Sequence, residues 1–186
     1  GEVGVVTRLG NISRTMYSGI HFKIPFIEDV TIFNVQTSKE QVDAQAASKD
    51  LQTVNVVVAV NYHLDDQNIA NLFKLIGDQY KEKIIDPAIQ EAVKASTANY
   101  TAEELITRRE VVRQTIQDSL TGKLKENYVI VTGVSIVDFN FSPSFNQAIE
   151  AKVTAEQNAL AAKNKLEQVK YEAEQRVEQA RGEAEA

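Results

Sequence analysis

Cysteine and tryptophan are absent from the 186 residues, and histidine occurs only twice, at His21 and His63. Without cysteine there is no disulfide, no cysteine-based zinc site and no thiol nucleophile. The same absence fits reducing and oxidising compartments alike. Two histidines far apart in sequence leave little material for acid–base chemistry, and a zinc site takes three or four ligands. No run approaches the roughly 18 apolar residues of a membrane span. The densest stretch, Val54 to Val60, is short and is interrupted by Asn55. No secretory signal pattern is visible. Glycine-rich phosphate loops, a GxSxG elbow and a serine with a plausible histidine partner are also missing. The net charge is -6, so the chain lacks the basic footprint that releases counterions from nucleic acid. No overall positive charge draws it to anionic lipid either.

What is present is the mix of an ordinary globular chain, 43% hydrophobic and 25% charged, long enough for one domain and an appendage. The chain begins without Met at Gly1-Glu2-Val3 and ends inside a charged repeat at Arg181-Gly182-Glu183-Ala184-Glu185-Ala186. Both ends read as cuts in a longer protein.

The first third reads as strands. Glu2 to Leu9 is rich in Val and closes on the turn pair Gly10-Asn11. Gly19 to Pro25 reads as a loop or short strand, and Val30 and Ile32 begin another strand. The clearest pattern is Val54, Val56, Val58, Val60, Tyr62 and Leu64 at period two, with Thr53, Asn55, Asn61 and His63 opposite. It predicts a half-buried antiparallel strand, paired with Glu40 to Ala46 through a turn at Ser48-Lys49-Asp50. Asp65 or Asp66 then caps a helix with Ile69, Leu72, Phe73 and Ile76 on one face, ended by Gly77. In Tyr80 to Ser96, Pro87 predicts a break, with Pro87 at a first helical position. Thr101-Ala102-Glu103-Glu104 is a capping box. The helix after it carries Leu105, Ile106, Val112, Ile116 and Leu120 and is expected to stop near Gly122. Tyr128 to Phe141 is a strand whose alternation slips near Gly133, the mark of a bulge.

Ser142-Pro143 starts the last helix, Ser as cap and Pro at the first helical position. No further proline follows, so a helix over 143–186 is expected, roughly 66 Å long. It is too long and too polar for a core helix of a small domain and is expected to project. Its apolar stripe is Ala162, Leu166, Val169, Ala173, Val177, Ala180 and Ala184, with an average step of 3.67. That is an 11-residue repeat, which gives a straight or slightly right-handed arrangement where a heptad would give a left-handed one. Glu174 with Lys170 and Glu172 with Arg176 are within-helix pairs of small value. A solitary solvated helix is one reading. Lateral contact with a parallel helix is the other, and the marginal stability of bare helices favours it.

Several stretches then resemble one family. They are Gly19-Ile20-His21-Phe22-Lys23-Ile24-Pro25-Phe26, Ser48-Lys49-Asp50-Leu51-Gln52-Thr53-Val54-Asn55, Tyr100-Thr101-Ala102-Glu103-Glu104-Leu105-Ile106-Thr107-Arg108-Arg109-Glu110, and Phe141-Ser142-Pro143-Ser144-Phe145 with Ala148-Ile149-Glu150-Ala151-Lys152. Each is weak alone, and four in order across the whole chain are strong. The chain resembles the stomatin/prohibitin/flotillin (SPFH, or Band 7) family, its prohibitin branch most closely. The resemblance implies an α+β SPFH domain over 1–142, followed by the start of a long coiled-coil helix over 143–186. It implies a hydrophobic anchor before Gly1 and more helix after Ala186. It also implies membrane-associated rings or cages, built from the chain itself or a close paralogue, that organise membrane microdomains and enclose or regulate membrane proteases. The family implies no catalytic residue, cofactor or metal.

Ile20, Phe22, Lys23, Ile24, Pro25 and Phe26 have two readings: a strand and turn packed on the core, or a loop touching the bilayer beside the implied anchor. Lys23 is placed to meet lipid phosphate. His21 and His63 read as structural, and Asp65-Asp66 as a cap. Glu103 and Glu104 point about 100° apart on a helix and do not converge on a substrate. Arg108, Arg109 and Arg113 form a small basic group for which phosphate binding is one reading, and the nearby Glu103, Glu104 and Glu110 favour the other, a solvated or subunit-bridging face. The expected function is a non-enzymatic, ring-forming membrane scaffold. The alternative is an adaptor that recruits a single membrane protein without a closed ring.

Overall fold

The computed structural model describes residues 1–184. They form two compact units, the first ending at Phe141 and the second beginning at Ser142. In the first unit, β1 (Glu2–Arg8) lies between β2 (Asn11–Met16) and β3 (Glu28–Asn34) in an antiparallel sheet. A second antiparallel sheet places β5 (Thr53–Leu64) between β4 (Ser38–Ala47) and β6 (Val129–Phe141). The period-two valines of β5 set this sheet's inner face, and Val54, Val56, Val58 and Val60 are fully buried. β4 pairs with β5 from Ser38↔Tyr62 to Ala47↔Thr53. The alternation of β6 slips twice, opposite Asn61/Tyr62 near Gly133 and opposite Val57/Val58. Each slip inserts an extra residue, which is how a bulge keeps the strand's outer segments in phase.

The inner face is covered by helices. After a 3-10 turn (Asp66–Asn68) capped by Asp65, α1 (Ile69–Ile76) buries Ile69 and Leu72 and ends at Gly77, whose φ of 83° suits glycine. α2 (Asp86–Thr97) buries Ile89 and Val93, and α4 (Arg109–Lys125) buries Val112, Ile116, Leu120 and Leu124. α3 (Ala102–Thr107) starts at the Thr101–Glu104 capping box, with both reciprocal hydrogen bonds formed. The two sheets share one core: Phe33 of β3 meets Phe73 edge-on at 5.9 Å and Tyr80 at 6.1 Å.

Four expectations are corrected. Pro87 takes the expected position in the first turn of α2, but no break precedes it: α2 continues from a π-turn (Lys81–Ile85), and the Asp86 N–H donates to the Lys81 carbonyl five residues back. The widened turn accommodates a residue that lacks an N–H. The helix after the capping box is two helices, parted at Arg108, where the backbone leaves the helical region (φ -114°, ψ 32°). α4 runs through Gly122 to Lys125, because the extra turn buries Leu124. Tyr128, at φ 60°, then turns the chain into β6. Ile106, expected on the apolar face, is exposed. β2 is an added strand with no sequence signal: Asn11-Ile12-Ser13-Arg14 is exposed, so no apolar alternation marks it.

The second unit holds α5 (Pro143–Ala184), 42 residues and about 63 Å long. The Phe145 amide donates to the Ser142 hydroxyl, the cap expected from Ser-Pro. No described residue of α5 is buried.

Candidate functional site

The loop between β2 and β3 is built around one ion pair. Arg14, in the exposed edge strand β2, sends both guanidinium arms to Glu28 at the start of β3, Nη1 to Oε1 at 2.8 Å and Nη2 to Oε2 at 3.1 Å. Two parallel bonds are the strong form of this pairing. The same Nη2 donates to the Phe22 carbonyl at 2.9 Å. The Ile24 amide donates to Glu28 Oε2 at 2.9 Å, and the Glu28 amide donates to the Ile24 carbonyl at 3.1 Å. Glu28 is 5% exposed. Hydrogen bonds from Arg14 first and from the Ile24 amide second hold its carboxyl down to about 2. The Leu9 amide at the β1–β2 turn reaches the Ile27 carbonyl at 3.2 Å and ties the far side.

This frame holds apolar side chains away from the core. Ile20 is 93% exposed, Phe22 89% and Phe26 fully so, while Ile24, Pro25 and Lys23 are also exposed. Packing of this cluster on the core, one of the two sequence readings, does not occur. Phe26 takes φ 73° and Leu9 takes φ 50°, left-handed conformations that are uncommon for such residues. His21 Nε2 lies 2.6 Å from the Tyr17 carbonyl, within the same loop.

α5 is the second surface. Leu166, Val169 and Val177 are exposed, as are Ala162, Ala173, Ala180 and Ala184 between and beside them. The seven stripe positions therefore lie on one continuous helix and are all open.

The three arginines act within the first unit and do not form a free basic face. Arg109 sits over the Phe139 ring and donates to the carbonyls of Ile136 and Val137. Arg113 donates to Glu110 at 2.6 Å and to the Val134 carbonyl at 3.3 Å. Arg108 sits over Tyr100, and its contact with Glu104 is 3.6 Å. The Arg109 and Arg113 bonds tie α4 to β6 and cap strand carbonyls that would otherwise invite another strand. His63 Nδ1 lies 3.1 Å from the Leu64 carbonyl.

Two features had no reading in the sequence. The Arg14–Glu28 pair joins residues 14 apart on strands that are not neighbours in the sheet. A second polar cluster lies under the π-turn: Lys81 reaches Glu40 at 3.3 Å, and burial, with Glu40 and Glu82 nearby, raises the Asp86 carboxyl above its usual range. The Tyr62 hydroxyl and Asp86 Oδ1 are buried there without a hydrogen-bond partner among the described residues. Among the described residues no group of three or more His, Cys, Asp or Glu is placed to hold a metal, and no helix is long and apolar enough to cross a membrane.

Two antiparallel sheets, helices on one face and a long terminal helix define an α+β domain of the SPFH kind, and the chain belongs to the SPFH domain / Band 7 family, which it matches over residues 1–184. Its relatives include prohibitins. It is 31% identical to Prohibitin-2 of Saccharomyces cerevisiae over 156 residues, 83% of this chain and 50% of that protein. It is 32% identical to Prohibitin-2 of Mus musculus over 154 residues, 82% and 52%. It is 29% identical to "Prohibitin-4, mitochondrial" of Arabidopsis thaliana over 150 residues, 81% and 54%. The chain thus spans about half the length of these curated relatives.

Proposed function

We propose that the chain is the SPFH domain and first helical segment of a membrane-associated scaffold whose copies pack side by side into rings or cages. Such an assembly organises a membrane microdomain and encloses or regulates membrane proteases. The observation that carries this reading is α5, a 42-residue helix with an 11-residue apolar period and no buried residue among those described. A helix of that length gains most of its stability from packing, so an open stripe calls for a neighbour. The 11-residue period keeps neighbouring helices nearly straight, as a wall requires. Different contacts to left and right close into a ring when the rotation per subunit closes. The β2–β3 loop supplies the second support. Ile20, Phe22 and Phe26, held outward on the Arg14–Glu28 frame, suit insertion at the lipid headgroup boundary, with Lys23 available to phosphate. The partners are therefore a second copy or close paralogue, and lipid. The domain division follows the same reading, an SPFH domain over 1–142 and an assembly helix from 143.

Electron microscopy of the protein extracted from its membrane without cross-linking tests this directly. Closed rings or cages are the expected result. Small complexes with one co-purifying membrane protein each would replace the scaffold by the adaptor reading.

A further inference from the structure

α5 carries a second apolar stripe on the side opposite the first. Ile149, Leu160 and Tyr171 recur at the same 11-residue spacing as the first stripe. With three turns per 11 residues, Tyr171 lies about 160° around the helix from Ala162. Leu160 and Tyr171 are exposed, as are Leu166, Val169 and Val177 of the first stripe. A helix that pairs with one partner needs one seam. Two opposed seams of identical period fit a helix held between two partners.

The charges beside the two stripes differ in sign. Lys165 and Arg176 border the first stripe on one side, Lys170 and Arg181 on the other. The second stripe is bordered by Glu156, Glu167 and Glu178 on one side; on the other Val153, Asn164 and Gln175 adjoin it and Gln157, Gln168 and Gln179 lie beyond them, each set again 11 residues apart. Glu150, Lys152, Lys163, Glu172, Glu174 and Glu183 fall between the stripes. First stripe on first stripe would set Lys and Arg against Lys and Arg. Second on second would set Glu against Glu. Only first on second brings opposite signs together, and in a parallel pair Lys170 and Arg181 of one helix fall on the side where Glu167 and Glu178 of the next lie.

We infer that the first stripe of α5 packs, parallel, on the second stripe of a neighbouring copy of this chain. Both faces of every helix are then used, and the contact is heterologous. Charge rejects the self-complementary dimer, so association continues around until it closes. The inference rests on the scaffold reading and adds which face meets which.

Residues 1–186 contain no cysteine, so cysteines introduced into α5 are the only ones in this segment, and the unsubstituted protein under the same oxidation is the control. The full-length protein in its membrane is compared as Leu166→Cys, Tyr171→Cys and the double variant under mild oxidation, with Leu160→Cys replacing Tyr171→Cys to cover axial stagger. Heterologous packing gives cross-links between differently tagged Leu166→Cys and Tyr171→Cys copies, and a ladder beyond dimer in the double variant. Dimers of Leu166→Cys with itself, and none with Tyr171→Cys or Leu160→Cys, overturn the inference and leave the scaffold standing. Cross-links that join the chain only to a different protein overturn the choice of a second copy. A wild-type protein that is monomeric in its membrane overturns scaffold and inference together. Reversing Glu156, Glu167 and Glu178 to Lys should reduce assembly at least tenfold, and adding Lys165, Lys170, Arg176 and Arg181 to Glu in the same chain should restore it. Restoration distinguishes charge pairing from damage to the helix.

Discussion

Arg14 and Glu28 meet through two parallel hydrogen bonds at the root of the loop that carries Ile20, Phe22 and Phe26. The pair fixes both where the loop leaves β2 and where it enters β3. Its pH behaviour follows from the direction of the Glu28 shift. The folded carboxyl sits at about 2, below the unfolded range of about 4.3. Its stabilisation is therefore fully present above about pH 4.5 and is lost as pH falls toward 2. Glu28→Gln should flatten that limb of the stability curve and speed amide exchange at Ile24, whose N–H bonds to the carboxylate. Urea unfolding at several pH values and hydrogen exchange read the two effects. An unchanged acid limb in the variant would remove Glu28 from this role.

The left-handed Phe26 allows the loop's exposed face to be tested without harming the fold. Its side chain is fully exposed, so Phe26→Gly loses no packing, and glycine adopts φ 73° without strain. Stability should stay the same or rise by up to about 1 kcal/mol. If the loop enters lipid, removing one buried phenyl ring costs about 1.5 kcal/mol or more, roughly tenfold in partitioning. Flotation with phosphatidylcholine vesicles should show that drop for Phe26→Gly and again for Phe22→Ser. Equal flotation of both variants and the wild type would take the loop out of the membrane interface.

Asp50 links the β4–β5 turn to the start of α3. Its Oδ1 accepts from the Ser48 hydroxyl at 2.6 Å and from the Ala102 amide, 52 residues on, at 2.9 Å. The Ser48 bond first, then the Ala102 amide, lowers its carboxyl below the usual value, so its contribution also fades as the pH falls. Asp50→Ala should destabilise by about 1 kcal/mol, a net worth discounted for the site's exposure. Asp50→Asn keeps the acceptor oxygen and should recover part of it. Chemical denaturation of both variants checks the order.

The β5 and β6 strands, the Thr101 box and the Ser142-Pro143 start were legible because each rests on local chemistry: a period, a cap or a ring without an N–H. The corrections share the opposite property. β2 is an edge strand whose exposed residues carry no alternation. The bend at Arg108 has no Gly or Pro and coincides with Arg108 turning to Tyr100 and Arg109 to the β6 carbonyls. The π-turn before Pro87 depends on hydrogen-bond register, which composition does not encode. Among candidate site residues the same division holds. The Ile20–Phe26 cluster is visible as sequence, but its exposure depends on the Arg14–Glu28 pair, and the long-range partner of either residue is set by topology alone.

The first stripe of α5 makes the most direct demand on assembly. Leu166 and Val177 are exposed and lie outside the first unit's core, so Leu166→Asp with Val177→Asp removes no contact on which that core depends. The unfolding midpoint of the domain should stay within the range of surface substitutions, about 0.5 kcal/mol. Between packed helices the same two carboxylates would lie in an apolar seam, where an unpaired charge is strongly disfavoured. Gel filtration of detergent extracts should then show the large assembly lost while the circular dichroism of the strands is kept. Assemblies of unchanged size would mean that α5 is not the wall and that its open stripe is only a solvated helix face.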